Sequence, residues 1–163
     1  MRRGALAALA MLAACGRPDP ATVDPRGGEG LERAALAANL VVDPARILPT
    51  GVFVADNDRI CLVPRPDGYR VGASVDYGEG QRCSARGTAT GRDVLAIDFG
   101  GGCRFDARSE GDRIVFPTIL PAPCEAACEG RATLAALRVE RLSDAAAEAA
   151  RLRGADGQLL CAD

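Results

Sequence analysis

From Gly51 to Pro117 apolar residues recur at every second position, and residues that favour tight turns interrupt the alternation at short intervals. Segments 51–55, 59–65, 69–77, 81–90, 93–99, 103–108 and 112–116 therefore read as strands, since period two sends successive side chains to opposite faces. Val71, Ala73, Val75 and Tyr77 share one face, as do Leu95, Ile97 and Phe99. Between the strands stand Asp56-Asn57-Asp58, Pro66-Asp67-Gly68, Gly78-Glu79-Gly80, Gly91-Arg92, Gly100-Gly101-Gly102 and Ser109-Glu110-Gly111, each suited to a hairpin turn. The pattern predicts an antiparallel meander with one face buried. A small barrel or strongly curled sheet is expected, because closure hides the edges that an open meander exposes.

Two helical patterns and one further strand flank this region. Leu31 to Leu40 is a short amphipathic helix stopped by Pro44 and Pro49, and its ten residues need tertiary contacts to persist. Thr133 to Val139 is expected to supply another strand. Ser143 caps a helix running to about Arg153, with Asp144 in its first turn, Arg151 and Arg153 in its last, and Gly154 just beyond. The fold class is mainly β with flanking α.

The first residues follow a different logic. Met1 to Arg3 form a basic start and Ala5 to Ala13 an uninterrupted apolar run of nine residues, the layout of a secretory signal. A spanning helix needs about 20 apolar residues, and Gly16, Arg17 and Pro18 end this run well short of that. At its end, Leu12-Ala13-Ala14-Cys15 resembles the lipobox of bacterial lipoproteins. The resemblance implies cleavage after residue 14 and lipidation of Cys15, so that residues 1–14 are a signal peptide. Two or more acyl chains hold a protein firmly, since each buried methylene contributes about 0.8 kcal/mol. Gly16 stands where an Asp would resemble an inner-membrane retention signal, which favours the periplasmic face of the outer membrane. Residues 16–30, with three prolines, four glycines and almost no large apolar side chain, read as a flexible tether of roughly 20 Å. Residues 31–163 are then a single β-rich domain.

Composition excludes several chemistries. All 20 basic residues are arginine and the chain has no histidine, which removes Schiff-base lysines and every Ser-His or Cys-His arrangement. Without the leader, 18 basic residues face 22 acidic ones, a balance that argues against nucleic acid as a partner. Four Phe, two Tyr and no Trp supply few platforms for stacking bases or sugars.

The remaining motifs favour structural readings. Asp56-Asn57-Asp58 has the spacing of two calcium ligands, but Cys61 and Asp67 occupy the positions where an EF-hand needs Gly and Glu. The glycine clusters at 78–80 and 100–102 do not lie between a strand and a helix, so they read as turns and not phosphate cradles. Asp76, Glu79, Asp98 and Asp106 are the carboxylates on which a hydrolase would have to rest. Ser74, Ser84, Ser109 and Ser143 have no partner base. No cofactor and no metal is implied.

Besides Cys15 there are six cysteines, Cys61, Cys83, Cys103, Cys124, Cys128 and Cys161. An even number in an exported domain implies three disulfides, and 15 connectivities are open. Register favours Cys83 with Cys103, provided the sheet is curled. Cys124 and Cys128 can meet within one helical turn, which leaves Cys61 with Cys161. Cys61 with Cys83 is the main rival.

The layout of lipobox, proline-containing tether and cysteine-rich β domain is similar to that of small envelope lipoproteins of alphaproteobacterial type. Periplasmic inhibitors of lysozyme or of secreted proteases are likewise small disulfide-containing barrels, a likeness of fold alone, and this chain lacks the tryptophan usual in the protease-inhibitor group. The expectation is a monomeric, non-enzymatic binding or inhibitor module held to the membrane by its lipid, with an envelope protein as partner. The alternatives are a structural component associated with the outer membrane, or a hydrolase using carboxylates alone.

Overall fold

The computed structural model describes residues 25–38, 40 and 48–162. Cys15 and most of the expected tether lie outside the described residues. By contact the chain divides into two units, residues 1–42 and 43–163. The first contains helix α1, Pro25–Ala37. It begins six residues before the expected start, inside the segment read as tether. Pro25 is acceptable in a first helical turn, where its missing N–H has no intrahelical partner to lose. Among the described residues no helix is long and apolar enough to cross a membrane.

The second unit is a closed antiparallel barrel of eight strands with one short additional strand. The strands are β1 (Gly51–Ala55), β2 (Asp58–Arg65), β3 (Gly68–Asp76), β4 (Arg82–Gly91), β5 (Val94–Asp98), β6 (Arg104–Glu110), β7 (Arg113–Val115), β8 (Cys128–Glu129) and β9 (Arg138–Ser143). Strands β1 to β7 pair in sequence order, and β9 closes the ring by pairing with both β7 and β1. The closing seam is irregular between Val52 and Phe53. Gly51, at φ +113°, lies so close to the Ser143 carbonyl that a Cβ there would meet it. β8 pairs with β4 through Cys83 and Cys128.

Two residues place β9 later than the alternation suggests. Ala136 adopts a left-handed backbone at φ 60°, so residues 132–137 turn across the barrel end, with Ala132, Leu134 and Leu137 buried. Within β9 the inward position after Val139 holds Arg141, while Leu142 points outward and is 69% exposed. The polarity of that stretch is inverted, which hides it from a pattern search.

The barrel interior is filled. Phe53, Ile60, Leu62, Val71, Val75, Leu95, Ile97, Ile114, Leu134 and Val139 occupy it, with small Ala73, Ala85, Ala89 and Ala107 between them. Phe99, Phe105 and Phe116 form an aromatic group with ring centroids 4.8 to 6.5 Å apart. Eight strands give an interior just wide enough for side chains, and here they fill it.

A second apolar layer lies outside the wall. Val52 and Cys61 pack with Ala149, Leu160 and Cys161 of the C-terminal segment. The expected helix from Ser143 shrinks to one turn, α2 (Ala146–Ala149), and Ser143 ends β9. The rest of the tail runs as a strap over β2, β3 and β4. Arg70 donates to the Cys161 carbonyl at 2.9 Å, and Arg86 donates to the Leu159 carbonyl at 2.8 Å and to both Asp156 oxygens. Ser74, buried on this face, accepts from the Ala155 N–H at 2.8 Å. Gly72 leaves room for the strap, since a Cβ there would sit 2.5 Å from the Leu160 carbonyl oxygen.

The disulfides are Cys61–Cys161, Cys83–Cys128 and Cys103–Cys124. The expected Cys83–Cys103 and Cys124–Cys128 pairs do not form. Cys128 extends into β8 directly opposite Cys83, with α-carbons 4.0 Å apart. Cys124 is buried in the 3-10 helix Ala122–Ala127, which brings it to Cys103 in the turn after β5.

Candidate binding site

The connections divide between two ends of the barrel. At the entry end, where β1 begins, the turns between β2 and β3, β4 and β5, and β6 and β7 are short. Arg141 fills this end from within. Its guanidinium lies 4.6 Å from the centroid of the Phe53 ring and donates to the carbonyls of Thr50, Leu48 and Gly111. Burial pushes its pKa down, opposed by the charges of Asp144 and Asp112.

The opposite end carries the longest connection, residues 116–137 between β7 and β9. Its inner side caps the barrel with Cys124, Ala132, Leu134 and Leu137, and Leu120 packs partly against the core. Its outer side carries Thr118, Ile119, Pro121, Ala122 and Pro123, all exposed, with Ile119 85% exposed. Two disulfides fix it: Cys103–Cys124 ties it to the β5–β6 turn and Cys83–Cys128 ties it to β4. Beside it opens a cleft of about 370 Å³, lined among others by Leu120, Pro121, Glu125, Arg131, Ala132 and Leu134.

Glu125 and Arg131 are the ionisable side chains in the lining of this cleft, and its two cysteines are oxidised. Around the same end stand carboxylates. Asp58 has its pKa raised, first by burial and further by Asp56 and Asp76, against an opposing hydrogen bond from the Asp76 N–H. Tyr77, 55% exposed, begins the β3–β4 turn there. Ile119 and Tyr77 are the large apolar side chains exposed at this end, while Leu48, Val94 and Leu142 are exposed near the entry end.

Of the carboxylates and serines singled out above, Asp76, Asp98, Ser74 and Ser143 are engaged in local or strap hydrogen bonds. Asp76 accepts from the Gly78 N–H, and Asp98 accepts from the Gly100 N–H and from Arg104. These contacts hold the Asp98 carboxyl below its usual range, the Gly100 N–H being the larger cause. Asp106 lies on the exposed face of β6, and Glu79 stands in an exposed turn at φ 51°. Ser143 accepts from the Ala145 N–H, and Ser84, buried near Gly154 of the strap, has no hydrogen-bond partner for its hydroxyl. Asp56-Asn57-Asp58 and both glycine clusters are at hairpin turns. Among the described residues no group of three or more His, Cys, Asp or Glu is placed to hold a metal.

No family model, curated protein or solved structure matches the chain.

The residues that stand out here, Thr118 and Ile119, escape a reading by periodicity because they lie in no regular element. A signal existed nonetheless. Pro117, Pro121 and Pro123 bracket an uncharged run directly before Cys124, a composition that suits a stiffened exposed loop.

Proposed function

We propose that this protein is a lipid-anchored binding or inhibitor module of the bacterial envelope, displayed towards the periplasm and acting without catalysis of its own. One observation carries the reading: a barrel with a filled interior presents, at one end, a long connection stapled twice and exposing Ile119. A filled barrel leaves no internal ligand chamber of the kind larger or emptier barrels offer. What it does offer is rigidity, and rigid display lowers the entropy lost when a loop docks on a partner. The absence of histidine and lysine from the sequence, and the engagement of Asp76 and Asp98 by their own turns, support a non-enzymatic role.

The test is capture of partners by the intact chain, extracted from membranes in mild detergent with its disulfides formed. A soluble hydrolase that is both retained and inhibited supports the proposal. Stable complexes with outer-membrane proteins or peptidoglycan alone replace it with a structural role. Turnover by the protein itself, abolished by one Asp or Glu substitution, replaces it with an enzyme.

A further inference from the structure

We propose that residues 117–121 form an inhibitory segment that occupies the substrate cleft of an endopeptidase, with Ile119 in an aliphatic primary pocket. This rests on the binding-module reading above and names its partner class.

The segment is held at both flanks and open in the middle. On one side the Phe116 N–H donates to the Leu137 carbonyl at 2.8 Å and the Ala136 N–H donates to the Pro117 carbonyl at 2.9 Å. On the other, the Cys124 N–H donates to the Pro121 carbonyl at 2.9 Å and Cys124 is bonded to Cys103. Between these anchors, Thr118, Ile119 and Leu120 make no main-chain hydrogen bond among the described residues. Their donors and acceptors are free to pair with an extended strand of a partner. Recognition of that kind takes affinity from main-chain hydrogen bonds and specificity from pockets for individual side chains. Leu120 turns back partly to the core while Ile119 projects, so one side chain is offered to such a pocket. Residues 117–123 carry no charge, which suits an apolar pocket and not one lined by a carboxylate.

The arrangement of the disulfides points the same way. All three are nested, and each joins a cysteine before residue 119 to one after residue 120. If water hydrolyses the Ile119–Leu120 amide, the carbon–nitrogen bond breaks and leaves a carboxylate on Ile119 and an amine on Leu120. Neither half can depart, because three covalent bridges and the closed sheet still join them. The new ends stay adjacent in the cleft, so cleavage does not release the peptidase as it would with an ordinary substrate.

The experiment titrates the intact, oxidised protein against an elastase-type serine endopeptidase, which takes aliphatic side chains, and a trypsin-type one, which takes cations. Stoichiometric inhibition of the first and none of the second is expected. Ile119→Asp should weaken inhibition by at least about 30-fold, the loss of a central anchor. Because Ile119 is exposed, both this variant and Ile119→Arg should unfold at the wild-type temperature. Ile119→Arg should transfer inhibition to the trypsin-type enzyme, a gain that misfolding cannot imitate. Absence of inhibition by the wild type, or inhibition unchanged in Ile119→Asp, overturns the inference. If a captured hydrolase is still bound and inhibited by Ile119→Asp, the module reading stands and this one falls.

Discussion

The Arg141 guanidinium lies over the Phe53 ring, 4.6 Å from its centroid, with both residues paired at inward positions of adjacent strands, Phe53 fully buried and Arg141 half-buried. A cation on the inner face of a small barrel is tolerated because its two terminal nitrogens donate to the carbonyls of Thr50, Leu48 and Gly111 and its charge lies over the aromatic face, although its Nε–H is buried without a partner. Two separate segments of the entry end, residues 48–50 and the turn at Gly111, converge on one side chain. Arg141→Ala should therefore destabilise the protein by about 2–4 kcal/mol, by leaving those carbonyls without a donor. Arg141→Lys should recover only part of this, since an ammonium lacks the planar fork. Urea unfolding with the disulfides intact measures both. A loss below about 0.5 kcal/mol for Arg141→Ala, the range of an ordinary surface change, would show that Arg141 does not hold this end.

The strap should depend on Cys61–Cys161 and on the space above Gly72. Cys61→Ala with Cys161→Ala opens a closure of 100 residues, which the chain-entropy model values at up to roughly 4.7 kcal/mol. Gly72→Ala should lift Leu160 from the wall while leaving the interior of the barrel intact. Hydrogen exchange should then rise at residues 153–161 and stay low in β5 and β6. Equal loss of protection everywhere would mean that the strap and barrel unfold as one. Peptide mapping without reduction should recover Cys61 with Cys161, Cys83 with Cys128 and Cys103 with Cys124; any free thiol among the six contradicts the fold.

Acid should unfold this protein partly through Asp156. Burial raises its pKa, but hydrogen bonds from Arg86 and the Gln158 N–H outweigh that and set it below the ordinary 3.8. A folded-state pKa below the unfolded one contributes stability above the unfolded value and loses it as pH falls through the folded value. Asp98 acts in the same direction. Asp156→Asn should thus be less stable than wild type at neutral pH, with the difference vanishing in strong acid. Asp58 has the opposite sign, its pKa being raised, so its charge costs stability at neutral pH and protonation relieves the cost. Asp58→Asn should be the more stable protein at neutral pH and equal to wild type once both folded and unfolded states are protonated. Thermal unfolding from strong acid to neutrality decides it: parallel curves for wild type and both variants would remove these carboxylates from the account.

The proposed lipid anchor rests on Cys15. Cys15→Ala should yield a protein that is exported but neither processed at the lipobox nor labelled by a fatty-acid analogue during growth. Labelling that persists in the variant would end the lipoprotein reading.

The cysteines after Cys15, the hairpin turns and the seven strands from Gly51 to Val115 are local features, and the sequence alone determined them to within a few residues, because period two and turn chemistry act over short distances. The exposure of an unclosed edge pointed to a barrel or a strongly curled sheet, but closure itself, through β9 pairing with β7 and β1, is decided by the tertiary structure. What it left open depends on residues far apart in the chain. β9 reads poorly because Arg141 sits inward and Leu142 outward, an inversion that makes sense only once Phe53 and the Thr50, Leu48 and Gly111 carbonyls surround the guanidinium. The alanine-rich stretch after Ser143 has the propensity for a longer helix, yet Arg70, Arg86 and Cys61 draw it into a strap after one turn. Cys124 and Cys128 are close in sequence, but a 3-10 turn and a two-residue strand send them to Cys103 and Cys83. Exposure of Ile119 is likewise a tertiary result, since only the turn at Ala136 and the two staples decide which side of residues 116–137 faces the core. Tertiary structure settled these points because packing and covalent closure over long separations outweigh local preference, which is worth only a fraction of a kcal/mol per residue.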